Sequence, residues 1–142
     1  MKKKRKIRLK LLYLISSFFR IVGYKIKNKT WPVEEITVDK LLERIQSDDP
    51  PVLIDVRFGK YYNKSHLPNA KWHPILKMIK NLVELQEFND KETIAMCWGG
   101  GLSLAAAEIL QRNGFQDAKS LYGGTDLWEN KGYPLSIPEN PD

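Results

Sequence analysis

Residues 94–103 read Ile94-Ala95-Met96-Cys97-Trp98-Gly99-Gly100-Gly101-Leu102-Ser103. An apolar strand-like run, Thr93–Met96, ends at the one cysteine of the chain, and three glycines follow it. A helix over Ser103–Asn113 then starts at Ser103 and is closed by Gly114, the residue type that ends helices in a left-handed turn. Strand, glycine turn and helix make one βα unit, and the same alternation extends outward from it. Towards the N-terminus, Val52-Leu53-Ile54-Asp55-Val56 is a continuous apolar run of the kind found in strands buried on both faces. Before it stand a strand candidate, Glu35–Val38, and an amphipathic helix over Asp39–Gln46 with Leu41, Leu42 and Ile45 inward. Between the two apolar runs, Trp72–Ile75 reads as a short strand, and Ile75, Met78, Ile79, Leu82, Val83 and Leu85 recur at helical spacing. Beyond Gly114 come a last strand, Ala118–Leu121, and a short helix, Asp126–Asn130. Strands alternating with helices predict an α/β domain with a mostly parallel central sheet flanked by helices.

Length and charge divide the chain. The 142 residues suit one domain with an appendage, and a composition of 42% hydrophobic and 28% charged residues is that of a folded protein rather than a disordered one. A single cysteine excludes an intrachain disulfide framework and any CxxC zinc or redox pair, and two histidines are too few to expect a metal site. The net charge of +6 is unevenly placed: residues 1–29 hold eleven Lys/Arg and no Asp or Glu, leaving twelve Lys/Arg against seventeen Asp/Glu in residues 30–142. We therefore read residues 1–32 as a basic segment with linker and residues 33–142 as the folded domain.

On a helical wheel, Ile7, Leu11, Leu14, Ile15, Phe18, Ile21 and Val22 share one face, opposite Lys10, Tyr13, Ser16, Ser17, Arg20 and Tyr24. That pattern predicts an N-terminal amphipathic basic helix. Its unbroken apolar stretch, Leu11–Phe19, would span only about 14 Å of the roughly 30 Å hydrocarbon core. The expected partner is thus an anionic membrane surface, with the helix lying in the interface and the domain on the cytoplasmic face. A signal-anchor, placing the domain outside by the positive-inside rule, is the second reading. An ordinary helix packed on the domain is the third reading, and a nucleic-acid arm ranks last.

The glycine loop is where chemistry is expected. Sites in open α/β sheets lie beyond the carboxyl ends of strands, where helix N-termini point free N–H groups outward. Consecutive glycines let successive N–H groups converge into an anion-binding nest, and the same positive potential favours the thiolate form of Cys97.

The sequence resembles the rhodanese family over roughly residues 35–135. Leu53-Ile54-Asp55-Val56-Arg57 is similar to its LIDVR strand, and Tyr62-Asn63-Lys64-Ser65-His66-Leu67-Pro68-Asn69-Ala70 to its Y-x-x-G-H-I-P-G-A turn. Cys97 to Ser103 matches its cysteine loop and the residue after it, and Phe115 to Trp128, through Leu121, Gly123 and Gly124, resembles its ending. The resemblance implies a rhodanese-like fold and a sulfurtransferase that carries sulfane sulfur as a Cys97 persulfide. Trp98, Gly99, Gly100, Gly101, Leu102 and Ser103 would form the substrate-binding loop, with Asp55 and Arg57 bordering it. The implied partners are a sulfur donor and a thiophilic acceptor, small molecules or proteins, and the chemistry requires no metal or organic cofactor.

Leu102 departs from the pattern of many thiosulfate-using members, which carry Arg, Lys or a hydroxyl residue there. A loop without a cation holds a dianion less firmly, which makes a persulfide donor as fitting as thiosulfate. The alternative function is a membrane-tethered rhodanese-like module that binds a partner with little turnover. Phosphatases with a C-x5-R loop share this fold but need Arg where Ser103 stands. His66 is expected to be a turn residue bonded to backbone, Trp128 a core residue, and Trp98 either a lid or a recognition surface.

Overall fold

The computed structural model describes residues 33–138, so the expected N-terminal amphipathic helix lies outside the described residues. Five strands form one sheet: β1 Glu34–Ile36, β2 Val52–Asp55, β3 Lys71–Trp72, β4 Glu92–Met96 and β5 Asp117–Leu121. Their order is β1-β5-β4-β2-β3, and every pairing is parallel. The helices are α1 Val38–Ile45, α2 Gly59–Tyr62, α3 Ile75–Lys80, α4 Gly101–Arg112 and α5 Gly124–Asn130, with a 3-10 helix at Val83–Phe88.

Side-chain alternation along the strands builds two cores. Ile54 and Val56 of the β2 segment and Ala95 and Cys97 of the β4 segment face one side, against Ile75 and Met78 of α3 and Ala106, Ala107 and Leu110 of α4. Leu53, Ile94 and Met96 face the other side with Val38 and Leu41 of α1 and Trp128 of α5. Because each strand buries both of its faces, β2 and β4 read as continuous apolar runs rather than as alternating ones.

Several boundaries differ from those expected. Thr37, read as strand, is the N-cap of α1, its hydroxyl accepting the Lys40 N–H at 3.2 Å. The strand expected to reach Ile75 ends at Trp72, and Pro74 occupies the N-cap of α3. The helical period from Ile75 to Leu85 belongs to two helices. The backbone of Asn81 is extended, and its side-chain oxygen accepts the Val83 N–H at 2.8 Å, which starts the 3-10 turn. Ile79 and Val83, which share that spacing, are exposed. The four-residue α2 carries no apolar period and was not expected.

The topology decides where a site can form. From β4 the chain crosses to β5 on one side, and from β2 it crosses to β3 on the other. The carboxyl ends of β2 and β4 therefore flank the point where the crossovers diverge, the place at which open parallel sheets leave a crevice. The residues following those two strands are Val56-Arg57-Phe58 and Cys97-Trp98-Gly99.

Candidate active site

Cys97 directly follows β4 and is almost entirely buried, at 2% exposure. Its Sγ accepts the N–H of Gly100 at 3.3 Å and of Ser103 at 3.4 Å, and lies 3.5 Å from Ser103 Oγ. Gly100 is the N-cap of α4 and has no side chain to offer the first helical N–H groups. The sulfur takes that role, and a negative charge on it would be favoured by the helix terminus.

Backbone on the far side of the loop holds this turn in place. The N–H of Thr125 donates to the Cys97 carbonyl at 2.8 Å, and that of Asp126 to the Trp98 carbonyl at 2.9 Å. These donors belong to the first turn of α5, so one helix start binds the carbonyls of the loop that opens another. In a planar trans peptide the N–H points opposite to the C=O. With both carbonyls turned towards α5, the N–H groups of Trp98 and Gly99 point away from it.

Two glycines make the contact possible. Gly100 has φ +93°, and a Cβ there would come within 3.1 Å of the Leu121 carbonyl oxygen and 3.2 Å of the Gly123 nitrogen. At Gly124, with φ +61°, a Cβ would lie 2.3 Å from the Trp98 carbonyl oxygen and 2.4 Å from that of Cys97. Only glycine permits both the left-handed backbone and the close approach.

Asp55 and Arg57, expected to border the site, form a buried pair at the carboxyl end of β2. The Arg57 guanidinium donates to both carboxylate oxygens, at 2.7 Å to Oδ2 and 3.0 Å to Oδ1, and to the Ser65 carbonyl at 2.7 Å. The Arg57 carbonyl in turn accepts the Trp72 indole N–H at 3.0 Å. The pair thus ties β2, the turn before β3 and β3 itself together. The Tyr61 ring meets the Trp98 ring edge-on with centroids 5.0 Å apart, and Phe58 meets it at 5.7 Å.

Trp98, half-buried, is therefore one side of an aromatic wall shared with α2 and the residue before it. Leu102 packs with Trp98 against the core that contains Cys97. Gly99 and Gly101 have open space where a Cβ would sit. Ser103 is fully buried, and its hydroxyl bonds the equally buried Ser120 hydroxyl of β5 at 2.8 Å. Ser120, Thr125 and the aromatic partnership of Phe58 and Tyr61 were not anticipated, since each reaches the loop from a separate element.

The histidines are engaged elsewhere. His66 Nδ1 lies 2.9 Å from the Tyr62 carbonyl, and His73 Nε2 lies 3.2 Å from that of Asn81. Burial pushes the His73 imidazole below its ordinary value, and its bond to Asn81 offsets part of that. Trp128 is wholly buried and donates its indole N–H to the Pro134 carbonyl at 2.9 Å. Asn69 adopts the left-handed conformation, φ +63°, in the turn before β3. Among the described residues no group of three or more His, Cys, Asp and Glu is arranged to hold a metal ion, and no helix is long and apolar enough to cross a membrane.

The family profile of the Rhodanese-like domain matches residues 37–131. The chain is similar to the putative sulfur carrier protein YrkF of Bacillus subtilis, with 27% identity over 118 residues, covering 83% of this chain and 63% of that protein. It is also similar to a sulfurtransferase of Allochromatium vinosum, with 25% identity over 107 residues, covering 75% of this chain and 98% of that one. Among solved structures, a rhodanese-like domain protein from Staphylococcus aureus superposes with a TM-score of 0.65 at 29% identity, covering 75% of this chain and all of that one. The chain spans less than two thirds of YrkF and only 25% of the adenylyltransferase and sulfurtransferase UBA4 of Scheffersomyces stipitis, which is 30% identical over 112 residues.

The Gly124 contact yields a direct test of the loop. Gly124→Ala is expected to destabilise the domain by at least about 2 kcal/mol, from left-handed strain together with overpacking against two carbonyls. Urea unfolding with tryptophan fluorescence measures it. An unchanged midpoint would mean that α5 can retreat from the loop without cost.

Proposed function

The chain belongs to the rhodanese-like domain family, a family of sulfurtransferases, and from that premise we propose that it carries sulfane sulfur on Cys97. One observation carries the reading: the sulfur of Cys97 sits where the Gly100 and Ser103 N–H groups converge, with the neighbouring carbonyls turned away. In the first half-reaction the thiolate attacks the outer sulfur of the donor. A bond forms between Sγ and that sulfur, the bond to the leaving group breaks, and the leaving group departs with the electron pair. With thiosulfate the products are a Cys97 persulfide and sulfite. In the second half-reaction a thiolate or cyanide attacks the outer sulfur, and the electron pair returns to Sγ. Preorganised N–H groups stabilise the Cys97 thiolate that attacks in the first half-reaction and is regenerated in the second.

Loop chemistry bears on the donor. Leu102 offers no charge, and Trp98, Phe58 and Tyr61 make the adjoining wall aromatic. These features favour a persulfide on an organic or protein thiol over a dianion that would rely on backbone N–H groups alone. The names of the relatives, a sulfur carrier and sulfurtransferases, agree with a protein as one of the partners.

For residues 1–29 we propose attachment to an anionic membrane surface, supported by their eleven Lys/Arg, their lack of acidic residues and their amphipathic spacing. The domain would then meet its donor or acceptor at the cytoplasmic face of a membrane.

Steady-state transfer to cyanide tests the sulfur chemistry. Cys97→Ser should abolish transfer from every donor. The natural protein should use thiosulfate weakly, and Leu102→Arg should raise kcat/KM for thiosulfate about tenfold to hundredfold, the worth of one charge-assisted contact in the transition state. Efficient thiosulfate use by the natural protein, with no gain in Leu102→Arg, would show that the backbone cradle suffices for the dianion. Liposome flotation tests the attachment. Binding should require anionic lipid, weaken in high salt and disappear when residues 1–29 are deleted. Equal flotation with neutral lipid in high salt would instead indicate a membrane span.

A further inference from the structure

The loop accounts for the two N–H groups on the Cys97 sulfur, but a third contact comes from a side chain. Ser103 Oγ lies 3.5 Å from Sγ and 2.8 Å from Ser120 Oγ, and both serines have no exposed surface. Ser103 stands in the first turn of α4, and Ser120 on β5. The sheet register delivers the second hydroxyl: Ser120 pairs with Ala95 of β4, two residues before Cys97. Ser120 also lies two residues beyond Ala118, which faces α4, and side chains two apart on a strand share a face.

Each hydroxyl has one proton, which ties the direction of this chain to the state of the sulfur. With a protonated thiol, S–H can donate to Ser103 Oγ, whose own proton goes to Ser120. With an anionic sulfur, the Ser103 proton must turn to the sulfur, and the Ser103 oxygen then accepts from Ser120.

We propose that Ser103 is a catalytic residue whose hydroxyl donates to the anionic Cys97 sulfur, and that Ser120 is the positioning residue that orients it. The charged groups on the elements packed around these serines have partners of their own. Asp55 is paired with Arg57 beyond β2, Glu108 with Arg112 on α4, and Lys119 on β5 with Glu92 on β4. None of them hydrogen bonds to Cys97, Ser103 or Ser120 among the described residues. The two hydroxyls are thus the side-chain means of adjusting this sulfur. Hydrogen bonds in such a buried chain polarise one another, so the outer serine acts through the inner one.

The inference deepens the proposed function and rests on it only for the identity of the reacting sulfur. Its test is the pH dependence of Cys97 alkylation by iodoacetamide in the full chain, a reaction that needs no sulfur donor. Persulfide chemistry could therefore fail while these midpoints still behave as stated. Ser103→Ala should move the midpoint upward by about one pH unit, the equivalent of one lost hydrogen bond to a charged group. Ser120→Ala should move it upward by a smaller amount, and by nothing further when Ser103 is already alanine. Ser120→Thr should restore the natural midpoint while its isostere Ser120→Val should not, which separates the hydroxyl from its volume. The proposal is overturned if Ser120→Ala and Ser120→Val leave the midpoint where it is, or if the shifts of Ser103→Ala and Ser120→Ala add in the double variant.

Discussion

The carbonyls of Cys97 and Trp98 are bound by the N–H groups of Thr125 and Asp126, and much of the carboxyl edge of the sheet follows from that contact. It turns two peptide planes so that their N–H groups face away from α5. It requires glycine at 124, because any side chain there would strike both carbonyl oxygens. It also requires β5 beside β4, since only that neighbour can bring the start of α5 to the end of β4. Trp128 anchors α5 from below, wholly buried and hydrogen bonded to the Pro134 carbonyl. Residues nearly thirty positions apart in sequence thus hold one sulfur atom at the start of α4.

The neighbouring strand contributes a different kind of rigidity. Asp55 and Arg57 are both buried, and the guanidinium donates to the carboxylate and to the Ser65 carbonyl together. A buried ion pair adds little net stability over an apolar pair of the same shape, while removing one partner typically costs about 3–5 kcal/mol. Its value here is positional: it holds the turn before β3 against the end of β2. From that base Phe58 and Tyr61 reach the Trp98 ring. The sulfur thus lies against backbone N–H groups and the Ser103 hydroxyl, and the wall beside the loop is aromatic and apolar.

Much of this fold was legible because its signals are local. The β2 and β4 runs, the glycine turn after Cys97, and the α4 helix closed by Gly114 each follow from periodicity and backbone preference. The match of four motifs to the rhodanese family supplied the global arrangement. What escaped was set by distance or by a single polar residue. Asn81 breaks a helical period that continues in the sequence, because an extended backbone and a side-chain cap override the apolar spacing. The four residues of α2 are too few to carry a period. Ser120 reads as an ordinary strand residue, and only the pairing of β5 with β4 places its hydroxyl against Ser103. Sheet order is not written in any one segment.

The central claim is that Cys97 itself holds the transferred sulfur. Intact-mass and peptide mass spectrometry of the natural protein after incubation with a persulfide donor, and again after addition of an acceptor thiol, reads this directly. The account predicts a mass gain of one sulfur atom, located on the peptide that contains Cys97 and lost again when the acceptor is added. A protein that passes sulfur from donor to acceptor while Cys97 never gains that mass would contradict it.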